Sequence, residues 1–226
     1  MALNPSSRQP GQVDVPEVVV ARLPQYVRIL SRILEDGAEV VSSHQLGDKL
    51  QVTPAQIRKD LSYFGRFGKQ GRGYDVLHLL ERLKEILGLN VQWNVAVVGV
   101  GRLGRAILSY PGFTPDGFRL MAAFDGDSQV VGQNIAGLTV LPMDRLDQVV
   151  RDQEISIGIV AVPVSRTQEV IDQLTASGVR AILNYAPIAP QVQRGVRIRN
   201  IDPVLSLQSM TFYLRDGKNG KDGLEV

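Results

Sequence analysis

Residues 95–104 read VAVVGVGRLG. The apolar run has the character of a strand buried on both faces, and the glycines at 99, 101 and 104 follow the G-x-G-x-x-G spacing. In that spacing Gly99 permits the turn, Gly101 lets a backbone approach a pyrophosphate, and Gly104 allows close packing of the next helix against the strand. The pattern predicts a strand over 95–98 and a helix over 102–109 containing Leu103, Ile107 and Leu108, with its first amides facing phosphate. The next strand ends in AAFDGD and puts Asp125 about 20 residues beyond the last glycine, where a carboxylate can bind both adenosine ribose hydroxyls. No arginine follows Asp125, and Asp127 adds negative charge, which favours NAD(H) over NADP(H). The alternative is a glycine-rich turn that binds nothing.

Outward from this motif the chain changes character. From about 94 onward, NVAVVGV, RLMAAFD, ISIGIVAV and VRAILNY alternate with helical stretches such as 102–109 and 165–177, the signature of βαβ units on a parallel sheet. From 17 to 87 the spacing is helical. Val19, Leu23, Val27, Leu30 and Leu34 form one stripe, and Val76, Leu79, Leu80, Leu83 and Leu87 another. GLNVQW at 88–93 marks the boundary. Residues 1–16 and 215–226 are rich in Pro, Gly and polar residues and are expected to be disordered tails.

Composition narrows the possibilities. The 226 residues are 44% hydrophobic and carry a net charge of +2, so an argument for nucleic acid must rest on where the charges sit. The absence of cysteine excludes disulfides, thiolate catalysis and Cys-ligated metals, and fits a reducing interior. The N-terminus lacks an apolar core of signal-peptide length, and no run reaches the roughly 20 apolar residues of a membrane span. A cytoplasmic location is expected.

In the N-terminal half, SSHQLGDKL at 42–50 begins a short helix with Ser42 or Ser43 as N-cap. VTPAQIRKDLSYFG at 52–65 begins another, with Thr53 as cap, Pro54 at its first position and Gly65 past its end. Ile57 and Leu61 can anchor one face while Gln56, Arg58, Lys59 and Ser62 occupy the other. GRFGKQGRGYDV then reads as a two-stranded hairpin, the wing of a winged helix-turn-helix, with Tyr63, Phe64, Phe67 and Tyr74 as core beneath it. From Arg58 to Arg72 the basic residues are Arg58, Lys59, Arg66, Lys69 and Arg72, with Asp60 as the one acid. A solvated charged face is the plainer reading; helix, turn, basic helix and basic hairpin in this order favour a DNA-binding face.

The glycine motif comes without the parts an oxidoreductase needs. Too little chain follows residue 201 for a substrate domain, and the two histidines, His44 and His78, both lie in the N-terminal half. His44 reads as a surface residue. Neither a catalytic residue nor a metal site is expected, and the dinucleotide reads as a signal. The stretch 202–214, DPVLSLQSMTFYL, has Asp202 as N-cap and Pro203 at the first helical position, then is apolar on nearly every side. Such a helix fits a dimer interface, and a dimer of winged helices fits a palindromic site in double-stranded DNA.

VSSHQLGDKLQVTPAQIRKDLSYFGRFGKQGRGYDV, VVGVGRLGRAILSYPGF and ILNYAPI resemble the Rex family of bacterial redox-sensing transcriptional repressors, over residues 17 to 214. The resemblance implies an α/β chain with a winged helix-turn-helix at 17–88, a Rossmann domain at 93–201 and an exchanged dimerisation helix at 202–214. It further implies a homodimer that holds operator DNA when NAD+ prevails and releases it when NADH rises. The implied cofactor contacts are Gly99, Val100, Gly101, Arg102, Leu103, Gly104, Tyr110, Asp125, Val162, Pro163, Asn184 and Asp202. Implied DNA contacts are Ser43, Gln56, Arg58, Lys59, Ser62, Tyr63, Lys69 and Arg72. The resemblance also points to Tyr110, Asp202 and Arg28 as the group that tells oxidised from reduced nicotinamide. Two other functions stay open on the residues alone: a small NAD-dependent oxidoreductase, and a nucleotide- or CoA-binding regulatory subunit acting through a protein partner.

Overall fold

The first helix, α1 (Glu17–Glu35), buries Val19, Leu23, Tyr26, Leu30 and Ile33. The buried stripe is not the one expected. Val27 is half-buried and Leu34 exposed, because alternating steps of four and three keep a stripe in line along a straight helix, whereas the expected spacing drifts off the face. The computed structural model describes residues 15–69 and 72–219, and the chain divides between Val91 and Gln92 into two compact units.

In the first unit α1 is followed by β1 (Val40–Val41), α2 (Ser43–Leu50), α3 (Pro54–Ser62), β2 (Gly68–Lys69), β3 (Gly73–Asp75) and α4 (Val76–Leu87). The strands form an antiparallel sheet in the order β1-β3-β2, so the expected hairpin gains a short third strand. Ser42 is the N-cap of α2, in a reciprocal capping box with Gln45. Thr53 caps α3 and Pro54 takes its first position. Phe64, Phe67 and Tyr74 are half-buried against the core built on α1 and α4.

The second unit is a seven-stranded sheet with the order β10-β9-β8-β4-β5-β7-β6. Its strands are β4 (Trp93–Val98), β5 (Phe118–Asp125), β6 (Asn134–Ile135), β7 (Leu138–Pro142), β8 (Ile157–Val160), β9 (Ala181–Asn184) and β10 (Arg197–Asn200). All neighbouring pairs are parallel except β6 with β7. Helices α5 (Arg102–Leu108), α6 (Leu146–Asp152) and α7 (Val164–Ala176) connect the strands. Without the β6 hairpin the order is the doubly wound one, and the direction of winding reverses between β4 and β8, where such sheets open a crevice. The last helix, α8 (Pro203–Asn219), begins where expected but extends through 215–219, the first part of the stretch whose composition predicts a disordered tail. Asp202 does cap it, accepting from the Val204 N–H at 2.9 Å. Residues 1–14 and 220–226 of the expected tails lie outside the described residues.

One buried carboxylate joins α3 to α1. Asp60 is completely buried, and it accepts two hydrogen bonds from the Arg22 guanidinium at 2.7 Å each, one from the Tyr26 hydroxyl at 2.5 Å and one from the Gln56 amide at 2.5 Å. Burial by itself would raise the Asp60 carboxyl, but the bonds from Arg22, Tyr26 and Gln56 outweigh it and hold the group below the usual carboxylate range. Burial and the bond to Asp60 raise Tyr26 far above an ordinary phenol. A carboxyl depressed in the fold contributes stability that is present above its unfolded value, about 4, and is lost as pH falls through its folded value. A raised phenol contributes stability below about 10 and loses it above. The stability of this unit is therefore expected to decline at both extremes. Arg22→Ala, which strands the buried charge, is expected to cost about 3 kcal/mol in chemical denaturation and to remove most of the acid-side dependence. A loss below about 0.5 kcal/mol would contradict this role.

Candidate functional site

The crevice at the reversal point is built by three strand ends. Gly99 follows β4 with φ +94°, and a Cβ there would lie 2.5 Å from the Ala161 carbonyl oxygen just past β8. This position needs glycine both for its left-handed backbone and for the close approach. Gly104 faces inward, and a Cβ on it would overlap the Gly99 carbonyl, so α5 can sit against the turn only without a side chain there. Gly101 is different, since a Cβ would meet nothing within 4 Å and would project into open space. Turn, open position and packing position thus fall on Gly99, Gly101 and Gly104 in that order.

Asp125, at the end of β5, closes over this loop. Its Oδ2 accepts from the Val100 N–H at 2.6 Å and its Oδ1 from the Asp127 N–H at 2.9 Å. A carboxylate has about four acceptor positions, so one on each oxygen remains for a pair of neighbouring hydroxyls. The cleft, of about 310 Å³, is lined by Gly99 and Asp125 together with Val162, Pro163, Met143 and Arg166. Val162 and Pro163 follow β8 and lead into α7, which lines the cleft with Arg166, Glu169, Val170 and Gln173.

The other expected cofactor residues divide. Arg102 and Leu103 are exposed on the first turn of α5, and the Val100 side chain is buried, leaving only its backbone toward the loop. Tyr110 is 61% exposed, its ring edge-on to Phe113 at 5.5 Å. Asp202 is half-buried and engaged as the α8 cap. Asn184 is a correction. It is completely buried, its amide donates to Ala186 O and Asn200 Oδ1 and accepts from the Ala186 N–H, so it braces the end of β9 and does not line the cleft.

In the first unit, α3 presents Arg58, Lys59 and Ser62 to solvent, and Arg58 donates to the Ser43 hydroxyl at 3.0 Å, joining the start of α2 to the middle of α3. Arg66 and Arg72 are exposed; the Lys69 side chain lies outside the described residues. Gln56 is a second correction: its amide is committed to Asp60, which makes it a support of the buried carboxylate. Tyr63 is half-buried at the end of α3. Arg28 is exposed on α1, in a shallow groove with Lys49 and Gln51.

Sequence reading missed Arg22 and Tyr26 altogether and counted Asp60 among the surface charges. Its signal was present, because Asp60 falls on the same helical face as Ile57 and Leu61. Turning that acid inward leaves the face between Arg58 and Arg72 with basic residues only. Among the described residues no cluster of His, Cys, Asp and Glu could hold a metal ion, and no helix is long and apolar enough to cross a membrane.

Two family models match the chain: "Putative DNA-binding protein N-terminus" over residues 14–62 and "CoA binding domain" over 90–188. The redox-sensing transcriptional repressor Rex of Roseiflexus sp. (strain RS-1) is 53% identical over 89% of this chain and 91% of its own. That of Chloroflexus aurantiacus (strain ATCC 29366 / DSM 635 / J-10-fl) is 50% identical over 88% and 94%. Among solved structures, RSP in complex with beta-NAD+ and operator DNA has a TM-score of 0.86 at 35% identity, covering 92% of this chain and 96% of RSP. RSP in complex with beta-NADH has a TM-score of 0.83 at 33% identity, covering 92% and 98%. A glycine-looped Rossmann cleft, a basic helix-turn-helix face and identity at this level over nine-tenths of the length lead to one assignment: the chain belongs to the Rex family of redox-sensing transcriptional repressors.

Proposed function

We propose that this protein is an NAD(H)-responsive repressor that binds operator DNA as a homodimer and releases it when NADH occupies the cleft. It is a regulator and not an enzyme. The observation that carries this is the presence in one chain of an acid-free basic face on α3 and a cleft whose Asp125 keeps two acceptor positions beside an open glycine loop. Gly101 and the first amides of α5 would receive the pyrophosphate, and Asp125 the adenosine ribose. The dinucleotide supplies a nicotinamide ring that is cationic when oxidised and neutral when reduced. Coenzyme A, the ligand in the description of the second matched model, carries a phosphate on its adenosine ribose, which Asp125 and Asp127 would oppose. NAD(H) is the better fit. The place of work is the cytoplasm, where bacterial DNA lies.

Arg58 and Lys59 would contact the DNA, with Ser43, Ser62, Lys69 and Arg72 beside them and Tyr63 at the end of the helix. The dimer would form through α8, where Leu205, Leu207, Met210, Phe212 and Leu214 are all exposed. Arg28, Tyr110 and Asp202 are the proposed sensing group. Arg28 lies on α1, the helix to which Asp60 ties α3, so a change in its pairing acts on the body that carries the reading helix. RSP, a Rex-family repressor, has been solved both with beta-NAD+ and operator DNA and with beta-NADH, which supports two ligand states for a fold of this kind.

The test is fluorescence anisotropy of a labelled palindromic operator titrated with protein alone, with NAD+ and with NADH. NADH is expected to weaken operator binding, and an equal response to NAD+, NADH and coenzyme A would overturn the reading. In the same assay Arg58→Ala or Lys59→Ala is expected to cost about 1–3 kcal/mol if the residue reads a base, and to lower the salt slope by about one if it meets a phosphate. Arg28→Ala, Tyr110→Phe and Asp202→Ala should each reduce the response to NADH more than they reduce operator affinity. Gly101→Ala should keep its melting temperature and lose NADH affinity, since its methyl enters open space on the ligand side. Gly104→Ala should be destabilised by about 3 kcal/mol or more by overlap with the Gly99 carbonyl. Equal melting of the two variants would contradict the roles assigned to these glycines.

A further inference from the structure

Helix α5 has only seven residues and its N-terminal residue follows the glycine loop directly, so its own backbone bonds contribute little to fixing its position. A closed circuit of hydrogen bonds does so. Starting at Val100, its N–H donates to Asp125 Oδ2 at 2.6 Å; Asp125 Oδ1 accepts from the Asp127 N–H at 2.9 Å; Asp127 Oδ1 accepts from the Gln129 N–H at 2.9 Å. Gln129 O then accepts from Gln133 Nε2 at 2.7 Å, Gln133 Oε1 from the Arg105 guanidinium at 2.7 Å, and Arg105 Nε donates to Val100 O at 3.1 Å. The circuit leaves from the amide of Val100 and returns to its carbonyl. Gln133 is itself anchored, because its carbonyl accepts from the Val140 N–H at 2.9 Å on β7, within the sheet.

We infer that Arg105 and Gln133 are positioning residues of the dinucleotide site. Neither lines the cleft. Arg105 reaches from the second half of the first turn of α5 back to the glycine loop, and Gln133 holds the far end of the acidic loop that begins at Asp125. Together they fix the distance between the amides that would meet pyrophosphate and the carboxylate that would meet ribose. A ligand that spans both groups, as a dinucleotide does, gains from that separation being set before it binds. The circuit also keeps one oxygen position of Asp125 on each side occupied by backbone, so its remaining acceptors point in defined directions.

This inference rests on the cleft being the NAD(H) site, and the experiment separates the two. NADH affinity is measured by calorimetry for the full-length protein, Arg105→Met, Gln133→Leu and the double variant, with Arg105→Lys as the conservative replacement. Each single variant is expected to weaken NADH about fivefold, the size of one lost hydrogen bond. The double variant is expected to be no weaker than the weaker single, because breaking a closed circuit a second time removes nothing further. Arg105→Lys, which keeps a donor, should recover part of the loss, whereas a role confined to packing would give it no advantage over Met. Single variants within twofold of the unmodified protein, or a double variant equal to the product of the two, would overturn the inference while leaving the NAD(H) reading standing. Failure of the unmodified protein to bind NADH would overturn both.

Discussion

The Asp60 carboxylate, buried completely between α1 and α3, constrains what the DNA-binding unit can present. A charge out of reach of water is tolerated only if its oxygens are filled, and here Arg22, Tyr26 and Gln56 fill them. Arg22 and Tyr26, both on α1, fix the rotation of α3 about its own axis, while Gln56, one turn earlier on α3 itself, fills a remaining acceptor position. Ile57 and Leu61 must then face inward with Asp60, and Arg58, Lys59 and Ser62 must face out. The reading face is the geometric complement of the buried one. A hydrophobic residue at 60 could hold the helix down as firmly, but it would not specify its rotation through three directional bonds from α1.

A second carboxylate organises the Rossmann unit in another way. Asp125 is half-exposed, and only part of its acceptor capacity is used by backbone, through Val100 and Asp127. Asp60 has its partners built in, whereas Asp125 keeps room for one from solution. The glycines around it follow the same division of labour. Gly99 and Gly104 are required by the fold itself, through a positive φ and through overlap with backbone, while Gly101 is free in the fold and constrained only by what would lie against it. The fold by itself therefore accounts for two of the three glycines, and the third is the one assigned to the proposed ligand.

Much of this was legible in the sequence, where local rules decide. Caps at Ser42 and Thr53, proline at 54, the glycine spacing and the acid at 125 each depend on neighbours within a few residues or on a fixed loop-to-strand distance, and each took its expected place. Features that depend on a distant partner were not legible. The Arg22–Asp60 pair spans 38 residues, and nothing near either residue announces the other. Gln56 read as a surface residue because it shares its stretch with Arg58 and Lys59, although the residue one turn ahead is a buried acid. Asn184 sits in a stretch that marks the family, yet its amide is spent on bracing β9 against Asn200. Short strands such as β1 and β10 escaped because a few residues at a sheet edge carry too little alternation to be distinguished from loop.

The central claim is that DNA and the reduced dinucleotide compete through conformation, and linkage makes that claim quantitative. If NADH weakens operator binding by some factor, operator must weaken NADH binding by the same factor. A switch that takes the protein from 99% bound to 99% released requires a ratio of about 10⁴, and a partial switch requires less. The direct test is the dissociation constant of NADH measured by calorimetry with and without saturating operator, beside the dissociation constant of operator measured with and without saturating NADH. The account predicts that the two ratios exceed one and agree within error; an NADH affinity that is identical in the presence and absence of operator would contradict it.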